Sequence, residues 1–157
     1  MAKEIERKFL VEPGFAATLA TREGGTAVSQ GYLPVSGTST VRARIYGDRG
    51  FLTLKGATRG ISRSEFEYEI PVADAQEIID TLCGGQVIEK TRHIVTVGQH
   101  KWEIDIFSGR NRGLVVAEIE LESEAEEFER PDWVTAEVTG DPRYYNANLV
   151  DTPYCDW

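Results

Sequence analysis

At 157 residues, 41% apolar and 27% charged, the chain has the composition of one folded domain (1–157) large enough to bury a core, which excludes disorder as its default state. Seventeen basic residues stand against 26 acidic ones, a net charge of −9, and residues 93–157 supply all of it with 5 basic and 14 acidic groups. That balance argues against nucleic acid as a partner, no apolar run approaches the ~18 residues of a membrane span, and no apolar signal core follows Met1, so a cytoplasmic protein with free thiols at Cys83 and Cys155 is expected.

Period-two alternation between short turns predicts strands at 3–11, 28–33, 40–46, 51–55, 62–71, 89–97, 101–107, 114–122 and 135–138. Helical windows fall at 13–21, at 143–150, and from Asp74, as the cap, to Cys83, with Ile78, Ile79 and Leu82 as the apolar face. The acidic stretch 124–130 is helix-compatible. Many short strands, tight turns and few helices predict an antiparallel sheet, open or closed.

The alternation carries charge. Side chains two apart on a strand share a face. Glu4, Glu6 and Lys8 share one, as do Arg42 with Arg44, Lys90 with Arg92, and Glu103 with Asp105. Glu65, Glu67 and Glu69 oppose Phe66, Tyr68 and Ile70; Glu118, Glu120 and Glu122 oppose Ala117, Ile119 and Leu121. A sheet with one wet face accounts for such a pattern. Two details favour a closed sheet with the charged face inward. Charge is pure within strands and mixed between them, some carrying acids and others bases, and the charged face lacks the Thr, Ser and Gln that dilute an exposed sheet. Such a lumen suits a polyanion. Lys8, Arg42, Arg44, Lys55, Lys90 and Arg92 would surround phosphoryl groups. Carboxylates two apart, Glu4/Glu6 and Glu118/Glu120, would hold Mg²⁺ or Mn²⁺. His93 and His100 have no metal-ligand spacing, and Arg63 fits either the lumen or a turn.

The segment Glu4-Ile5-Glu6-Arg7-Lys8-Phe9-Leu10-Val11 resembles the ExExK signature of the CYTH superfamily, the triphosphate tunnel metalloenzymes. Further elements follow in the same order: Gln30-Gly31-Tyr32-Leu33, Arg42-x-Arg44, Leu54-Lys55-Gly56, the 65–69 run, Lys90-Thr91-Arg92, Glu103-x-Asp105, Glu118-Ile119-Glu120 and Tyr144-x-Asn146-x-x-Leu149. The resemblance implies an α+β fold, an eight-stranded antiparallel barrel forming a tunnel with helices packed outside. It also implies a small-molecule triphosphate substrate, two divalent metal ions and a homodimer. It places Lys8, Arg42, Arg44, Lys55, Lys90 and Arg92 on phosphates. Glu4, Glu6, Glu118 and Glu120 become metal ligands, with Asp105, Glu67 and Glu69 as further ones. Lys8, Glu4, Glu6, Lys90 and Tyr32 take catalytic roles, and 144–149 forms a helix near the tunnel mouth. The spelling of the first strand resembles small bacterial members that hydrolyse inorganic triphosphate. Adenylate cyclase, thiamine triphosphatase and a non-catalytic polyphosphate- or nucleotide-binding module are the alternatives. The His-Phe pair that cyclase-type members carry ahead of ExExK has no counterpart before Glu4.

Overall fold

The structure, a computed structural model, describes residues 3–157. Nine strands are present: β1 (Lys3–Val11), β2 (Thr26–Tyr32), β3 (Thr40–Tyr46), β4 (Arg49–Lys55), β5 (Ser62–Ile70), β6 (Val87–Val97), β7 (His100–Phe107), β8 (Val115–Glu120) and β9 (Val134–Glu137). All nine predicted windows are strands, with ends moved by up to two residues. The sheet runs β5-β4-β3-β2-β6-β7-β8-β1, every described neighbour antiparallel, and β1 pairs back onto β5 through Lys3↔Ser64, Glu4↔Arg63 and Ile5↔Ser62. Eight strands therefore close into a barrel, which removes their free edges. Beyond this seam the same edge of β1 is taken by β9, so Glu6 N donates to Ile61 O while Val138 N donates to Lys8 O.

Three helices accompany the barrel: α1 (Pro13–Ala20), α2 (Val72–Leu82) and α3 (Asn146–Leu149). Glu12 caps α1 by accepting from the backbone N–H groups of Gly14 and Phe15. The helix expected to be capped by Asp74 starts three residues earlier, at Val72. Pro71 precedes it without a side-chain cap, and Asp74 lies in the first turn, where its charge suits the helix N-terminus. Gly31 and Gly50 let α2 lie close on the barrel. A Cβ on Gly31 would stand 2.6 Å from Cys83 Sγ, and one on Gly50 would stand 3.0 Å from Ala75 Cβ. Cys83 is buried there as a free thiol and Cys155 is exposed. The window 143–150 resolves into a single 3-10 turn, Pro142–Tyr144, followed by the four-residue α3. Residues 124–130 form no helix. Phe128 instead packs edge-on against Phe9 and Trp102, an apolar anchor that outweighs the helix propensity of its glutamates. Among the described residues no helix is long and apolar enough to cross a membrane.

Parity divides the hydrophobic core in two. Outside the barrel, Ile5, Phe9, Trp102, Ile104, Ala117 and Ile119 pack under α1 and residues 128–134. Inside, the inward face turns apolar toward one end of every neighbouring strand. Lys8 is followed by Leu10, Lys90 is preceded by Ile88, Asp105 is followed by Phe107, and Glu118 is preceded by Val116. These side chains meet Leu114, Val138, Tyr144 and Leu149 in a second cluster, which forms a floor and ties the C-terminal segment to the barrel.

Candidate active site

Above that floor lies a cavity of about 680 Å³, and each of the eight barrel strands contributes to its wall. The charges are sorted around the circumference. The adjacent strands β4, β3, β2 and β6 present Lys55, Arg42, Arg44, Lys90 and Arg92. The opposite arc, β7, β8, β1 and β5, presents Glu103, Glu118, Glu120, Glu4, Glu6, Glu65 and Glu67, with Lys8 as the one lysine among them. Arg63 stands at the seam and donates from Nε to Gly56 O.

Several cations of the basic arc are partly engaged. Lys55 Nζ donates to Glu4 at 3.0 and 3.1 Å and lies 3.2 Å from Glu65. Arg42 donates to Thr53 Oγ1 at 3.2 Å and lies 3.5 Å from Glu67, yet its Nε is buried with no partner among the described residues. A buried N–H without an acceptor costs about 1–3 kcal/mol. Arg92 grips Asp105 through two donors at 2.7 and 2.9 Å and Glu103 at 2.9 Å, and Lys90 lies 2.6 Å from Asp105. Arg44 has no carboxylate partner among the described residues. Burial, with Arg42 and Arg92 alongside, pushes its guanidinium down to about 10. Burial likewise pushes the Lys90 ammonium down to about 7, against the pull of Asp105.

The acidic arc holds too much negative charge for its own cation. Glu6 and Glu120 stand directly opposite across β1 and β8, and Glu118 stands opposite Lys8 on one side and Glu103 on the other. Burial and then the Glu118 charge push the Glu6 carboxyl up to about 8. Burial would raise Glu118 too, but Lys8 at 3.8 Å, with Arg92 and Lys90 beyond, brings it down to about 2. Burial, Glu4 and Glu103 raise Glu120. Facing carboxylates that cannot all ionise are a setting for an added cation. The donors are all oxygen, which matches hard divalent ions. No three such side chains among the described residues converge tightly enough to hold an ion alone.

The predicted site residues divide accordingly. Twelve of them line the cavity: Glu4, Glu6, Lys8, Tyr32, Arg42, Arg44, Lys55, Glu67, Lys90, Arg92, Glu118 and Glu120. Asp105 points inward but lies off the cavity wall, 1% exposed, with both carboxylate oxygens held by Arg92 and Lys90. Glu69 lies beyond the tunnel, paired with exposed Arg49 at 2.6 Å. Sequence reasoning named no site role for Glu65, although it shares the parity of Glu67, or for Glu103, two residues before Asp105. Gln30 and Asn146 stood in recognised motifs but were given no role, being neutral residues in a search for charge. Glu103 and Glu120 also line a second cavity of about 470 Å³ with His100, Lys101, Glu122 and Glu126. His100 pairs there with Glu126.

A closed antiparallel barrel whose lumen is basic on one arc and acidic on the other defines a tunnel for polyanions accompanied by cations. Residues 2–151 match the CYTH domain, and the chain belongs to that family. It is 50% identical over 154 residues to an inorganic triphosphatase of Acetivibrio thermocellus, covering 98% of this chain and 97% of the relative. A second inorganic triphosphatase, from Nitrosomonas europaea, is 38% identical over 94% of this chain and 96% of its own length. Among solved structures, a crystal structure of an inorganic triphosphatase superposes with a TM-score of 0.65 at 32% identity, covering 96% of this chain and 95% of that one.

Proposed function

We propose that this chain is a metal-dependent hydrolase of inorganic triphosphate. The observation that carries the reading is the division of the lumen into two arcs, with seven cations and seven carboxylates on one wall. By formal charge the wall is balanced, so a substrate bearing several negative charges calls for further cations beside it. The relatives named inorganic triphosphatase match this chain over almost its whole length.

Arg42 and Arg44 offer charged N–H donors to phosphoryl oxygens, the stronger class of hydrogen bond. Lys55, Lys90 and Arg92 extend this grip on both sides of Arg42 and Arg44, and Lys8 adds a charge from the opposite wall. Asp105 acts from behind, holding Arg92 and Lys90 in place. Glu4, Glu6, Glu118 and Glu120 would hold the divalent ions, Mg²⁺ or Mn²⁺, and Glu67 stays with Arg42. A bound divalent cation supplies neutralisation of phosphoryl charge, and a second supplies a water of lowered pKa. Positioning and charge stabilisation are the main requirements of phosphoryl transfer, and this wall meets both. The aromatic rings on the lumen wall are those of Tyr32 and Tyr145, and Tyr145 is already occupied by Lys8, 5.3 Å from its centroid. That leaves little to recognise a nucleobase and favours the inorganic substrate.

The test is phosphate release from tripolyphosphate, ATP and thiamine triphosphate with Mg²⁺, Mn²⁺ or EDTA, with cyclic AMP measured in the ATP reactions. Release from tripolyphosphate that EDTA abolishes is expected. Cyclic AMP formation without phosphate release would overturn the reading in favour of a cyclase, and absence of turnover in every reaction would overturn it in favour of a binding module.

A further inference from the structure

In the middle of the basic arc stands a neutral residue. Gln30 is wholly buried on β2, the strand between the arginines of β3 and the Lys90–Arg92 pair of β6. It faces Arg44 directly across β2 and β3. Its Oε1 accepts from Arg44 Nε at 3.0 Å. Its Nε2 donates to Tyr32 OH at 2.8 Å and to Asn146 Oδ1 at 3.1 Å. The same Asn146 oxygen accepts from Lys90 Nζ at 2.9 Å. One chain of hydrogen bonds thus runs from Arg44 through Gln30 and Asn146 to Lys90, and joins β3, β2, α3 and β6. Both amide hydrogens of Gln30 are used.

We propose that Gln30 and Asn146 are positioning residues for the substrate grip, a neutral amide relay that fixes Arg44 and Lys90 relative to each other. Neutrality is essential to this role. A carboxylate at either position would pair with Arg44 or Lys90 and compete with the phosphate for it. An alkyl side chain would leave the Arg44 Nε–H without its acceptor and the guanidinium free to turn. The amides hold one edge of each cation and leave its charge, and the Arg44 Nη groups, for the substrate. Asn146 further makes the grip depend on the C-terminal segment, which the floor residues Tyr144 and Leu149 anchor to the barrel. The inference rests on the proposed triphosphate site but not on its hydrolysis.

The test compares Gln30→Glu, Asn146→Ala and the double variant with the wild type. Tripolyphosphate affinity is measured by calorimetry in EDTA, KM and kcat are measured with metal, and thermal unfolding serves as the control for folding. Each single variant is expected to weaken tripolyphosphate binding and raise KM by about tenfold or more, the scale of a hydrogen bond to a charged group. Unfolding temperatures should stay close to the wild type. The double variant should lose less than the product of the two single losses, because both act through one chain. Wild-type affinity and KM in Gln30→Glu, losses that multiply independently, or lowered unfolding temperature with unchanged affinity would each overturn the relay. If the wild type binds tripolyphosphate without hydrolysing it, the hydrolase reading fails while the binding comparison still tests the relay.

Discussion

Arg44 is the lumen cation with the fewest protein partners, and its loss isolates the grip from the fold. Its one hydrogen bond among the described residues is to Gln30, so Arg44→Ala strands no carboxylate there. We expect KM for tripolyphosphate to rise by about tenfold or more, with the unfolding temperature nearly unchanged; steady-state kinetics alongside a thermal melt checks both. Parity made most of the charged wall legible, because inward and outward side chains alternate along a strand. Parity does not report depth, however. Glu103 and Asp105 have the same parity on β7, but one step of two residues moves the carboxylate from the wall to the apolar floor beside Phe107, where Arg92 and Lys90 enclose it. Glu69 has the parity of Glu65 and Glu67, yet lies where β5 has left the lumen. Asn146 stood in a motif placed near the tunnel mouth, but its bond to Lys90 depends on how the C-terminal segment packs against the floor.

At the scale of elements, strand windows were readable wherever Gly-rich turns interrupted alternation, and the least regular part of the chain was misread. The acidic 124–130 stretch has helical composition, but Phe128 is drawn into the aromatic cluster and the backbone follows it. β9 is held against β1 by more than its four residues. Arg7 donates to Glu137 at 2.8 and 2.6 Å, and Thr139 donates to the same carboxylate. These hydrogen bonds, Arg7's first, hold Glu137 down at about 2, and Arg130 adds to the effect. The folded state therefore binds fewer protons here than the unfolded chain. The stabilisation is fully present above the ordinary carboxylate value near 4.5 and is lost as the pH falls through about 2. Glu137→Gln should lower stability at about pH 7, and its difference from the wild type should shrink as the pH falls from about 4.5 to about 2. Urea unfolding across that range measures the difference, and one that does not vary with pH would refute the account.

For the whole molecule, the outer core turns on Trp102, which is fully buried among Phe9, Phe128 and Trp133 at centroid distances of 5.4 to 5.8 Å. Trp102→Ala should cost about 3–5 kcal/mol in urea unfolding, the usual range for a buried aromatic ring. Closure of the sheet was only half legible. Alternation alone fits a solvated face equally well, and the segregation of acids and bases by strand was what pointed inward. That segregation is now seen to follow spatial order rather than chain order, since β2 lies between β3 and β6 and gathers the basic strands into one arc.

The β1–β5 seam has a consequence for how the protein comes to work. It joins the first strand to one some sixty residues later through three residue pairs. Contacts so distant along the chain form more slowly than hairpins, because the loop must close before they are made. The Glu4–Lys55–Glu65 cluster spans this seam. A chain with every hairpin formed but the barrel still open would have its arginines in place and lack one side of its acidic wall. Catalytic competence therefore requires the seam to be closed, and a ligand that bridges it binds only the completed barrel and holds it shut.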